Sequence, residues 1–232
     1  MPQLEVWWWF IVPAHASRIS EEIDEGVAVT EAVFEAMGEF VVPMEVEAVM
    51  RSYSEDEPMK GWFDRDSHYE PVESETTAIS ASDELSFEAF RNGIDEVAVP
   101  GGRVRYLREW SLTRSRAWMF VDGADQYVSR ETPDIYKVWS RTDEEVLDVP
   151  MRHDPIGIRV LHTKPRPETD AASMYKISVT TAVDTWFEET AVGERLSSFL
   201  WRLYDGLDVA EVEYDSNTYD VERFPSLWIP GE

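Results

Sequence analysis

Apolar residues follow one another without interruption from Val6 to Val12, through Trp7, Trp8, Trp9, Phe10 and Ile11. Such a run predicts a strand covered on both faces, and hence an interior place in a sheet. Aromatic side chains are also enriched in the cores of subunit interfaces, which makes Trp7, Trp8 and Trp9 candidate contact residues.

From Ser17 to Met37 the apolar spacing becomes helical, in one or two pieces, with Thr30 as an internal cap and Gly38 as the stop. Met44, Val46, Ala48 and Met50 then alternate with Glu45, Glu47 and Arg51, the period of a half-exposed strand. Residues 54–75 are polar and acidic with Pro58 and Pro71, and they predict a long loop or extended arm. Ser82 then caps a short helix, with Asp83 and Glu84 in its first turn, Arg91 in its last, and Asn92-Gly93 closing it.

The middle of the chain reads as β. Val97–Val99 and Arg103–Thr113 predict one hairpin around Pro100-Gly101-Gly102. Ala117–Val121 and Ala124–Val128 predict a second, with Asp122-Gly123 supplying the positive φ of a type I′ turn. Strands are expected at Ile135–Ser140 and Ile156–His162, with a short acidic helix near Thr142–Asp148 between them. Residues 163–173, with Pro165 and Pro167, form a second expected arm. Met174–Phe187 alternates as a long strand. Glu188–Tyr204 places Val192, Leu196, Phe199, Leu200 and Leu203 on one helical face, and a hairpin of Val209–Tyr214 and Thr218–Val221 closes the chain. The expected fold is a single α+β domain over residues 1–232: mainly antiparallel sheet with a few short helices packed on it.

Charge changes the picture. The 47 acidic residues outnumber 21 basic ones, for a net charge of −26. Of the basic residues only Lys60, Lys137, Lys164 and Lys176 are lysines. Such a charge opposes compaction in dilute buffer. In molar salt the Debye length falls to roughly 3 Å and the objection disappears. Arginine is the less hydrated cation and pairs bidentately with carboxylates. The composition therefore predicts a protein of an extreme halophile. At 43% hydrophobic and 12% aromatic residues the chain is too apolar to be disordered. The acids are spread along its whole length instead of forming one block, which argues against a DNA-mimicking acidic surface. The absence of cysteine excludes a disulfide framework, thiol catalysis and cysteine-ligated metal. Met1–Glu5 lacks the positive start of a signal peptide, and Val6–Val12 is far short of the roughly 20 residues that span a bilayer. No membrane partner is expected, and the expected place is the cytoplasm of a halophilic cell or a virion assembled there.

Catalytic motifs are scarce. The sequence has no G-x-S-x-G, no glycine-rich phosphate loop, no G-x-G-x-x-G and no H-E-x-x-H. In an extended segment Asp64, Asp66, His68 and Glu70 would share one side, as hard ligands for Mn²⁺, Mg²⁺ or Ca²⁺. Where one residue in five is acidic, such a run also arises without function, so no metal or other cofactor is expected. His153, Asp154 and His162 would supply a general base if the turn between them brings them together.

Arg103, Arg105, Arg108, Arg114 and Arg116 fall within fourteen residues that hold one acid, Glu109, interleaved with Tyr106, Leu107, Trp110 and Leu112. Phosphate contacts weaken steeply with salt, so nucleic acid is an unsuitable partner for this stretch. Carboxylates of a neighbouring subunit or of the same sheet suit it better. Strand alternation would put Arg108 and Arg114 beside Trp110. The functional expectation is a non-enzymatic subunit of a larger halophilic assembly, such as a head-tail or tail component of a haloarchaeal virus. Its partners would be other protein subunits. The alternatives are a metal-dependent hydrolase using Asp64, Asp66 and His68, and a small regulatory protein-binding domain.

Overall fold

The computed structural model describes residues 5–38, 40–59, 71–97, 101–121, 124–132, 135–139, 146–149, 156–165, 170–182 and 191–216. The order is β1 (Glu5–Ala14), α1 (Ile19–Met37), β2 (Val41–Tyr53), β3 (Glu73–Ser80), α2 (Phe87–Glu96), β4 (Val104–Val121), β5 (Ala124–Thr132), β6 (Ile135–Trp139), β7 (Val146–Val149), β8 (Ile156–Thr163), β9 (Ser173–Ala182), α3 (Ala191–Gly206) and β10 (Glu211–Ser216).

The fold is α+β and mainly sheet. Every described strand pair is antiparallel. A main sheet runs β3-β2-β4-β8-β9-β1-β10, and β5, β6 and β7 continue from the far end of β4. Two connections share one plan. β3 and β4 flank β2 and are joined through α2, while β9 and β10 flank β1 and are joined through α3. In each, parallel strands with one strand between them are bridged by a helix, which lays that helix on a sheet face.

Burial follows strand alternation. Val6, Trp8, Phe10 and Val12 of β1 join the core with Ile177 and Val179 of β9 and Ile158 and Val160 of β8. The buried apolar residues of α2 and α3 and most of those of α1 belong to the same cluster, Val33, Phe90 and Leu196 among them, while Ile19 of α1 packs in a smaller cluster with Tyr53 and Tyr106. Trp7 and Trp9 point the other way and are half-buried. The run of three tryptophans is thus divided by the period-2 geometry of a strand.

Several expectations change. α1 is one helix, and Thr30 is buried inside it instead of capping a second piece. Gly38 ends it at φ 49°, a conformation that favours glycine. Ser86, not Ser82, caps α2, accepting from the Ala89 amide. Asn92-Gly93 lies within α2. A Cβ on Gly93 would stand 2.8 Å from Ile79 Cγ2, so that glycine serves close packing instead of a stop. Val97 is the C-cap of α2, not the first arm of a hairpin. The two expected strands 103–113 and 117–121 are one 18-residue strand, β4. It pairs antiparallel with β5 as expected, Val121 facing Ala124, while the expected turn residues Asp122 and Gly123 lie outside the described residues. Val146–Val149 is a strand, contrary to the acidic helix expected over that stretch. β3 begins at Glu73, inside the first expected arm.

Candidate functional site

β4 is the seam of the molecule. Along one edge it pairs with β2 almost throughout. Along the other, β8 contacts only Glu109, Trp110 and Ser111, and β5 begins at Arg116. The register that joins Glu109 to Leu161 would bring Leu107 opposite Thr163, but the ladder stops before that point. A backbone N–H left inside a protein needs a partner. Leu107 N donates to Glu22 Oε2 at 3.1 Å, from a side chain that descends from the first turn of α1.

Glu22 is fully buried. Tyr175 Oη, on β9, donates to its Oε1 at 2.6 Å. His162 on β8 places Nδ1 3.5 Å from the same oxygen and stacks on Tyr175, with ring centroids 4.7 Å apart. Tyr106 closes the group with its ring 5.3 Å from His162, and Arg108 Nη1 donates to Tyr106 Oη at 3.4 Å. Tyr53 stands edge-on to Tyr106 at 6.2 Å. Burial disfavours charge on each side of the pair. It pushes the Glu22 carboxyl well above the usual carboxylate range, against the hydrogen bonds from Tyr175 and Leu107. Burial, helped by Arg108, pulls His162 down to about 3. Tyr175 is pushed up by burial and by Glu22. Burial thus favours the protonated form of the carboxyl and the neutral form of the imidazole.

Sequence reasoning named His162 and Arg108 but not Glu22. The signal was present, because Glu22 shares the helical stripe of Ile19, Gly26, Val29 and Val33, and an acid on an apolar stripe must be answered across the interface. A β-bulge explains why Tyr106 and Leu107 are both buried. Val49 faces Glu109 and Met50 faces Leu107, so Arg108 is the extra residue on β4. Simple alternation through Arg108 therefore fails. Leu107 and Trp110, three apart, both enter the main core.

The remaining arginines have partners within the chain. Arg105 Nη1 donates to the carbonyls of Ile94, Asp95 and Val97 and so closes the C-terminus of α2. Arg114 and Arg116 donate to the carbonyls of Ala81 and Asp83, and Arg103 pairs with Glu73 at 2.9 Å. Trp110 is fully buried against Phe34 and Phe90, its Nε1 donating to Thr30 Oγ1 at 2.8 Å while that hydroxyl donates to Gly26 O at 2.7 Å. Trp8 is likewise a core residue, 3% exposed. Asp64, Asp66, His68 and Glu70 lie outside the described residues, as do His153 and Asp154. Among the described residues no group of three or more His, Cys, Asp and Glu side chains is placed to hold a metal ion, and no helix is long and apolar enough to cross a membrane.

On the face away from the helices, Trp7 and Trp9 sit beside Thr180 and Ser178 of β9 and Asp215 and Glu213 of β10. Lys176 Nζ stands 4.4 Å over the Trp9 ring, and Arg159 pairs with Glu109 at 2.6 Å. Leu161 and Val49 are half-buried on the same side. No protein-family model, curated protein or solved structure matches the chain.

Proposed function

We propose that this chain is a non-enzymatic, protein-binding subunit of a larger assembly working in concentrated salt, and that it joins its neighbours through the face of the main sheet opposite the described helices. The observation that carries the reading is the placement of Trp7 and Trp9 on that face, half-buried, among Leu161, Val49, Arg159 and Lys176. Tryptophan and arginine are the side chains that dominate binding energy when a partner excludes water from them. The group with the richest acid-base chemistry supports the same reading from the other direction. Glu22, His162 and Tyr175 are each at most 1% exposed, so no substrate reaches them in this conformation. The composition supplies the setting, since a chain of net charge −26 is suited to molar salt. The concrete form of the proposal is a head-tail or tail component of a virus of haloarchaea, of which the composition supports the saline setting.

Native mass in molar KCl tests it. The wild-type chain should form a discrete oligomer, and a Trp7→Ser, Trp9→Ser variant with an unchanged circular dichroism spectrum should be a monomer. A wild-type chain that stays monomeric at high micromolar concentration, or a double variant that assembles normally, overturns the assignment of this face.

A further inference from the structure

The Glu22 carboxyl occupies a gap that the strand pairing creates. On that edge of β4 neither β8 nor β5 reaches Leu107, and Oε2 of Glu22 takes the amide that a strand would have taken. One helix is thereby fastened to three strands through one side chain: β4 through Leu107 N, β9 through Tyr175 Oη and β8 through the His162 ring. Among the described residues, the titratable and charged groups around it include Tyr175, His162, Tyr106 and Arg108, Tyr53 with Arg51 from β2, and Glu25 one turn on in α1. Arg108 donates to Tyr106 Oη, and Glu25 accepts from the amides of His15 and Ala16.

We propose that this cluster is a proton-operated latch: the N-terminal half of α1 stays docked over the β4–β8 seam while the cluster holds the proton of the Glu22 carboxyl, and release of that proton to solvent loosens the seam. The reason is solvation. A carboxylate in this gap is fully buried, with two donors and an imidazole against it, whereas an opened seam hydrates it fully. The raised affinity of Glu22 for its proton is the thermodynamic face of the same geometry.

The sign follows directly. The unfolded chain releases the Glu22 proton near the ordinary carboxyl value and the docked form releases it higher, so stability present at acid pH is lost as pH rises between the two. Denaturation of the wild type and of Glu22→Gln in molar KCl, from pH 5 to 9, isolates this group because the other carboxylates cancel. The ratio of their unfolding constants should change in favour of the variant by up to tenfold per pH unit. Hydrogen exchange at the Leu107 amide, corrected for the intrinsic rate, is the second measurement. Its protection in the wild type should fall as pH rises across the same range. A ratio that is flat from pH 5 to 9 overturns the latch. If Glu22→Gln does not fold, wild-type Leu107 protection decides alone, and pH-independent protection overturns the proposal.

Discussion

Tyr175 Oη donates to Glu22 Oε1 across 2.6 Å, tying β9 to the first turn of α1 over 153 residues of sequence. Both groups are buried, so the bond's value lies in what its loss would leave behind. Tyr175→Phe removes the donor and keeps the ring that stacks on His162. An unanswered buried acceptor costs about 1–3 kcal/mol. Urea denaturation in molar KCl should show a loss in that range with an unchanged slope, and a loss too small to measure would mean that the carboxyl finds another donor.

Gly26 is a second test of the same contact. In an ordinary helix Gly→Ala stabilises by about 1 kcal/mol. Here a Cβ would stand 3.1 Å from Glu22 Oε1 and 3.3 Å from Tyr175 Oη, against a pair that cannot easily yield. Gly26→Ala should therefore lower the thermal midpoint, reversing the usual sign. A higher midpoint would show that the cluster has room to adjust.

His162 governs the acid limb. Its folded-state value is about 3, below the ordinary 6.5, so the unfolded chain takes up a proton that the native state refuses. Stability should fall as pH drops from about 6.5 toward 3, with the unfolding constant rising by up to tenfold per pH unit from this group. His162→Gln, followed by denaturation at fixed high salt, should flatten that limb relative to wild type above pH 5, where the surface carboxylates remain ionised.

Salt dependence concerns the whole surface. Lowering KCl from molar to about 0.1 M lengthens the Debye length from roughly 3 to 10 Å and lets the excess carboxylates repel one another. The melting temperature should fall over that range. An unchanged or higher value at low salt would refute adaptation to concentrated salt.

Local signals were legible wherever a single element decided the outcome. The Asp-Gly pair in the sequence marked the β4–β5 hairpin, whose strands pair at Val121 and Ala124. Gly38 ended α1, and the stripe Val192, Leu196, Phe199, Leu200 and Leu203 turned α3 inward as its spacing requires. The chain by itself also determined the class of fold, because alternating runs between turn residues can bury their apolar faces only by pairing into a sheet. Its acidity likewise needs no structure to be read.

Tertiary structure decided what adjacent residues in the chain could not. Ser82 and Ser86 are equally good caps by type, and the choice between them rests on where α2 packs against β3 and β4. The bulge at Arg108 breaks the alternation from which side-chain direction is inferred, so Tyr106 and Leu107 are buried together. The arginines were legible as a cluster, but their partners, the carbonyls of residues 81–97, became known only when α2 lay beside β4. Glu22, Leu107, His162 and Tyr175 meet because two strands part on one edge of β4 and a helix fills the gap. A sequence specifies each side chain's chemistry locally, whereas the burial that makes a carboxyl hold its proton is a property of everything packed around it.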